Sequence, residues 1–220
     1  MAQVLQEITV TNEWRIDRPQ DAKVSFEDFR FDVRVVPLNG LVDLNRASVG
    51  LLQALLIHGA GMDDAAAGKL AEVIVQRRST ALPQGGSSLF DAIEDLLQIP
   101  GIDYEVYARL APLVTVRTGG SGQVNPYAAP PAVLAALASG NQAVVHAFLN
   151  VRDAGQVDLS GFNSAYLTLG GSTGLRLYAQ PETNAEFKPV VICDVNLTRQ
   201  TARAAPWNFL QCSYQATLTW

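Results

Sequence analysis

Two histidines, two cysteines and a scatter of carboxylates are the residues of this 220-residue sequence whose chemistry could amount to catalysis or metal binding. His58 and His146 stand far apart, and neither has a cysteine or a spaced carboxylate pair beside it, as a zinc site would need. Asp63-Asp64 and Glu94-Asp95 are adjacent pairs. Neighbouring helix positions point to different faces, so such pairs make poor acid–base dyads; helix capping explains the first pair better. No Gly-x-Ser-x-Gly nucleophile elbow occurs, and the nearest string, Gly119-Gly120-Ser121-Gly122, lies in a loop without a following helix at the right distance. Gly59-Ala60-Gly61 lacks the third glycine and the preceding strand of a dinucleotide fingerprint, and there is no phosphate loop. The chain therefore reads as non-catalytic. Cys193 and Cys212 are compatible with one disulfide or with two buried thiols.

Hydrophobic residues make up 48% of the chain and charged residues 17%, the balance of a folded protein rather than a disordered one. The net charge is −5, only three lysines occur (Lys23, Lys69 and Lys188), and no basic run is present. Proteins that live on nucleic acid draw most of their affinity from neutralising phosphates. This chain is suited instead to surfaces that meet other proteins. It contains no stretch of 18 apolar residues, the minimum for a membrane helix.

The elements that must position these residues come in three blocks. Phe29–Val36 alternates apolar and polar residues, the period of a half-buried strand, and Asn39-Gly40 ends it in a turn. Residues 42–154 are rich in Ala and Leu at helical spacing. Helices are expected over Val49–Leu56 behind Ser48, over Ala65–Arg77 behind Asp63 or Asp64, then over Asp91–Gln98, Tyr104–Leu110, Pro130–Leu137 and Gln142–Asn150. After Gly155, strands are expected at Tyr166–Leu169, Leu175–Ala179, Val190–Leu197 and Phe209–Leu218. A lone early strand cannot satisfy its own backbone. The economical reading is therefore an α+β fold: a discontinuous β domain (residues 1–40 and 156–220) with an all-helical domain (residues 41–155) inserted into it.

The helical block repeats itself. Val42-Asp43-Leu44-Asn45-Arg46-Ala47-Ser48 precedes one Leu-rich helix, and Val124-Asn125-Pro126-Tyr127-Ala128-Ala129-Pro130 precedes another. A looser copy ends in Ile99-Pro100-Gly101-Ile102. Ile57-His58-Gly59-Ala60-Gly61-Met62 has the shape of a helix-hairpin-helix turn, whose exposed N–H groups can hold a phosphate. Residues 42–117, however, carry six Lys/Arg against nine Asp/Glu. Asp63 and Asp64 sit where a phosphate would lie, and a carboxylate there repels one. The hairpin reads as a packing device in helix-hairpin-helix or SAM-like repeats.

Taken in order, Phe31–Asn45, the stretch Phe90 to Ile102, and Leu113-Val114-Thr115-Val116 with Gly122 to Leu137 resemble the K-type minor pseudopilin of the bacterial type II secretion system (general secretion pathway protein K). The motif positions that carry the likeness are Asp43, Asn45, Pro100, Gly101, Asn125 and Pro130. The likeness covers residues 30–140 well, about half the chain, and extends weakly to Trp220. It implies a pilin-like antiparallel sheet with a large inserted helical domain. It implies a periplasmic domain behind an N-terminal inner-membrane helix, which is expected to have been removed from this sequence. It also implies a place at the pseudopilus tip beside the I- and J-type minor pseudopilins, with the secretion machinery or exported substrates as further partners. Nucleic acid is not expected as a partner, and the membrane only through that helix. In an oxidising periplasm, Cys193 and Cys212 on adjacent strands are expected to form a disulfide. No cofactor is required. The resemblance allows calcium in the sheet region, where Asp153–Asp158 and Glu182–Glu186 could supply oxygens, but no ligand is assigned. The competing reading is a helix-hairpin-helix DNA-binding protein of the competence-receptor type, whose Asn-x-Ala helix starts look similar. Charge separates the two: that reading needs a basic hairpin.

Overall fold

The structure is a computed structural model. It describes residues 16–80, 88–117, 120–152, 157–182, 189–197 and 207–215. The chain divides into two compact units, with boundaries between Leu38 and Asn39 and between Leu169 and Gly170.

The outer segments form one unit around a five-stranded antiparallel sheet. Its strands are β1 (Gln20–Phe26), β2 (Phe29–Pro37), β5 (Gly174–Pro181), β6 (Val190–Leu197) and β7 (Trp207–Gln215), in spatial order β1-β2-β5-β6-β7. Successive side chains alternate between faces. Val33 and Val35, Leu175, Leu177 and Ala179, and Cys193, Val195 and Leu197 fall on one face and are buried. The registers Val35↔Leu177 and Leu177↔Cys193 line them up in cross-strand rows, the contacts that stabilise a sheet.

The opposite face places Arg176 beside Asp194. Nε and an Nη of the guanidinium donate to the two carboxylate oxygens at 2.7 and 3.0 Å. Arg176 is 7% exposed. Burial works against its charge, but the bonds to Asp194 and the charge of that carboxylate outweigh burial and hold the guanidinium above its usual range.

The middle unit, Asn39–Leu169, has its own core. A two-residue strand β3 (Val42–Asp43) runs parallel to β4 (Val114–Thr115). Around this pair lie α1 (Val49–His58), α2 (Asp64–Ser79), a 3₁₀ turn (Ile93–Gln98), α3 (Tyr104–Leu110), α4 (Pro131–Leu137) and α5 (Gln142–Val151). Ser48 and Asp63 cap as the sequence suggests, accepting from Leu51 N–H and Ala66 N–H. Asn141 caps α5 in the same way, accepting from Val144 N–H. α1 buries Leu51, Leu52, Leu55 and Leu56, and α2 buries Ala67, Leu70, Ala71 and Ile74. α4 is buried from Val133 to Leu137, as befits a helix apolar all round. Where an α-helix is expected over Asp91–Gln98, the chain forms only the 3₁₀ turn. Asp95 accepts from Asp91 N–H and Ala92 N–H at its start, and Pro100-Gly101 leaves no room to propagate.

The middle unit reaches past the boundary expected at residue 155, and Tyr166–Leu169 is not a strand of the sheet. Phe162 packs edge-on against Phe148 with ring centroids 5.1 Å apart. Asn163 N–H donates to Leu137 O, Val124 N–H to Tyr166 O, and Thr168 N–H to Val124 O. These bonds hold residues 157–169 against α4 and α5, so apolar burial and backbone pairing outweigh the strand propensity of Tyr-Leu-Thr-Leu.

His58 is accounted for by packing. It closes α1 against the turn at Gly140, whose φ is +82° and where a Cβ would lie 2.5 Å from the imidazole Cε1. Gly140→Ala is expected to cost about 1–3 kcal/mol, through both the clash and the left-handed backbone. A lowered midpoint in urea unfolding at unchanged slope would report it. His146 is exposed on α5.

Candidate functional site: the motif positions and the sheet

Asn45 is the centre of the helical unit's polar framework. Its Nδ2 donates to Phe90 O at 2.9 Å and to Val116 O at 3.2 Å, and its Oδ1 accepts from Phe90 N–H at 2.8 Å. One side chain thus ties together three segments that are remote in sequence. Asp43, 3% exposed, accepts from Asn45 N–H at 2.8 Å and sets its direction. Asn125, fully buried, holds its own turn by accepting from Tyr127 N–H, and its backbone N–H donates to Asn39 O. Asp43 and Asn125 are therefore two versions of one device: a side-chain oxygen that closes a turn two residues on, before a helix. Pro130 caps α4, with Leu134 N–H donating to its carbonyl. Pro100 is exposed, and Gly101 takes φ +96° in the turn that closes on Ile102. The structure brings Asp43 and Asn45 into one network. Pro100-Gly101, Asn125 and Pro130 lie in separate turns.

In the sequence Arg78 is legible only as a basic residue that suits the helix dipole at the end of α2. It donates to Leu44 O at 2.7 Å and Ala47 O at 2.6 Å, capping the same turn from the end of α2. Burial lowers its pKa and the Asp43 carboxylate opposes this. Arg77 stacks 4.5 Å over the Phe90 ring. The basic C-terminus of α2, legible as a helix-dipole complement, could have pointed to both contacts.

The hairpin glycines are engaged. Gly59 N–H donates to Leu55 O and Gly61 N–H to Ile57 O, while Asp63 caps the next helix. The place a phosphate would take at that helix N-terminus holds a carboxylate.

Cys193 and Cys212 are directly opposed on β6 and β7 and are bonded, with Cα atoms 4.2 Å apart, near the spacing of close cross-strand pairs. Opening this bridge by reduction, or replacing both cysteines with serine, is expected to cost about 2–3 kcal/mol. Differential scanning calorimetry with and without reductant would show a fall of roughly 5–10 °C.

Other perturbed groups trace to local contacts. Lys23 is raised by its bonds to Glu182 and Asp32. Asp158 is lowered by the Ser160 N–H and hydroxyl. The Tyr107 phenol is raised by burial first, and then by Glu94. Among the described residues, no three His, Cys, Asp or Glu side chains converge as a metal site would require. Residues 153–156 and 183–186 of the two oxygen-rich stretches lie outside the described residues. No described helix is long and apolar enough to cross a membrane.

No protein-family model and no curated protein matches the sequence. Among solved structures, the chain is similar to one in the crystal structure of the GspK-GspI-GspJ complex from the enterotoxigenic Escherichia coli type 2 secretion system. The TM-score is 0.62 at 15% identity, over 98% of this chain and 92% of that one. The chain thus has an α+β, pilin-like fold. Within that class, its fold resembles that of a minor pseudopilin.

Proposed function

We propose that this protein is a non-catalytic minor pseudopilin of the K type, a tip subunit of a type II secretion pseudopilus. The observation that carries the reading is the fold likeness to a chain of the GspK-GspI-GspJ complex over 98% of the sequence. The sequence motifs point the same way, and the bridged Cys193–Cys212 pair suits an oxidising compartment. In this reading the Asn39–Leu169 unit is a helical domain inserted into a pilin-type sheet, and its bulk obstructs a further subunit above it. The protein acts from the periplasm, held by an inner-membrane helix, with I- and J-type minor pseudopilins as neighbours, and the secretion machinery or exported substrates as further contacts. The acidic hairpin with Asp63 at the helix start supports a protein partner over DNA.

Deleting its gene tests this in the cell. Proteins exported by the type II pathway should accumulate in the periplasm, and the intact gene should restore export. Normal export together with a loss of DNA uptake would overturn the proposal.

A further inference from the structure

The sheet ends in two unlike edges. β1 carries Asp21 and Lys23, and both are paired: Asp21 with Arg34 at 3.8 Å, Lys23 with Asp32 at 3.4 Å and with Glu182. Charges of this kind keep sheet edges from recruiting further strands. β7, at the other edge, reads Trp207-Asn208-Phe209-Leu210-Gln211-Cys212-Ser213-Tyr214-Gln215, with neither a charge nor a proline. Among the described strands, only β6 pairs with it.

The register gives this edge a second property. Trp207 lies opposite Leu197, Phe209 opposite Val195, and Tyr214 opposite Val191. A register shift beside Leu210 keeps Phe209 on the same face as Cys212, although three positions separate them. All three aromatic residues therefore extend the sheet's apolar face. Trp207 packs against the core, but Phe209 is 47% and Tyr214 79% exposed. Among the described residues, the core face runs out into solvent along an edge with no charge to guard it.

We infer that β7 is a docking strand, whose free edge takes a β-strand of a different pilin-like subunit, uncharged and apolar on the face that continues this core. The inference rests on the assembly reading above and names the surface that serves it. A strand is the occupant because the outward-facing N–H and C=O groups of β7, which no described strand pairs, are satisfied by another strand's ladder. It is uncharged because a charge opposite Phe209 or Tyr214 would be desolvated without a partner. A second copy of this chain is disfavoured, since each copy carries −5. Pairing β7 with another copy's β1 would also desolvate the ion pairs there.

The test measures binding of the 220-residue chain to the soluble domains of the I- and J-type minor pseudopilins of the same genome. It compares wild type, the double variant Phe209→Lys/Tyr214→Lys, and Gln20→Lys on the opposite edge. The β7 variant should bind roughly 30-fold more weakly or worse, while Gln20→Lys binds as wild type and all three melt alike. Amides of residues 207–215 should exchange more slowly in the complex. Equal affinity of wild type and the β7 variant overturns this inference alone, as does a β7-dependent dimer of the chain without partners. Failure of wild type to bind either domain overturns the assembly reading, and the inference with it.

Discussion

Asp194→Ala is expected to destabilise the protein by about 3–5 kcal/mol. The substitution leaves the Arg176 guanidinium 7% exposed, with neither of the bonds at 2.7 and 3.0 Å that now neutralise it. The cavity left by the lost carboxylate would not account for such a loss, since alanine removes few apolar contacts; the cost is that of an uncompensated buried charge. Replacing both partners with residues of similar volume, Arg176→Met with Asp194→Leu, should return stability to within about 1 kcal/mol of wild type, because no charge then remains to be desolvated. Urea unfolding of Arg176→Met, Asp194→Leu and the double variant closes a thermodynamic cycle. A double variant as unstable as Asp194→Ala would contradict the electrostatic account and point to packing instead. The pair sits on the face of β5 and β6 opposite the apolar core.

Asn45→Ala is expected to cost about 3–4 kcal/mol, because two carbonyl acceptors and one N–H donor lose their partner at once. For a chain of this size the melting temperature should fall by roughly 6–15 °C. Asn45→Asp is the sharper variant. It keeps the oxygen that accepts from Phe90 N–H but turns a carboxylate toward Phe90 O and Val116 O, so it should be at least as destabilising as alanine. Aspartate rescuing alanine would show that the two carbonyl bonds carry little of the energy. The expected loss is one of local and global stability, not of a chemical step, and this fits a residue that builds a scaffold.

The elements that were legible in the sequence are those whose cause is local. Tyr104–Leu110 and Val190–Leu197 have the expected bounds, and Ser48 and Asp63 cap the helices they were expected to cap. Capping and period-two burial are decided within a few residues. What was not legible depends on distant partners. The β3–β4 pair is two residues long and exists because Val42 and Val114 meet across the helical unit. Strand β1 is an exception, because Ala22, Val24 and Phe26 alternate with Asp21, Lys23 and Ser25; its ladder to β2 means that the early segment supplies two strands where a single one was expected. Residues 157–169 look strand-like until Phe162 is seen against Phe148. The motif positions were visible as a repeat, but their role was not. Asn45 could be seen to precede a helix, whereas its reach to Phe90 and Val116 needed the fold. The pairing of Arg176 with Asp194 was open to inference, since both occupy outward positions of neighbouring strands and carry opposite charge.

The proposed function makes this chain one subunit of a heteromeric assembly. Mixing it with the soluble I- and J-type minor pseudopilin domains of the same genome, and reading mass by size-exclusion chromatography with light scattering, tests that claim most directly. One species is expected, whose mass is the sum of one copy of each component. Elution of this chain alone at 23.7 kDa, with the other two unaffected by its presence, would contradict it.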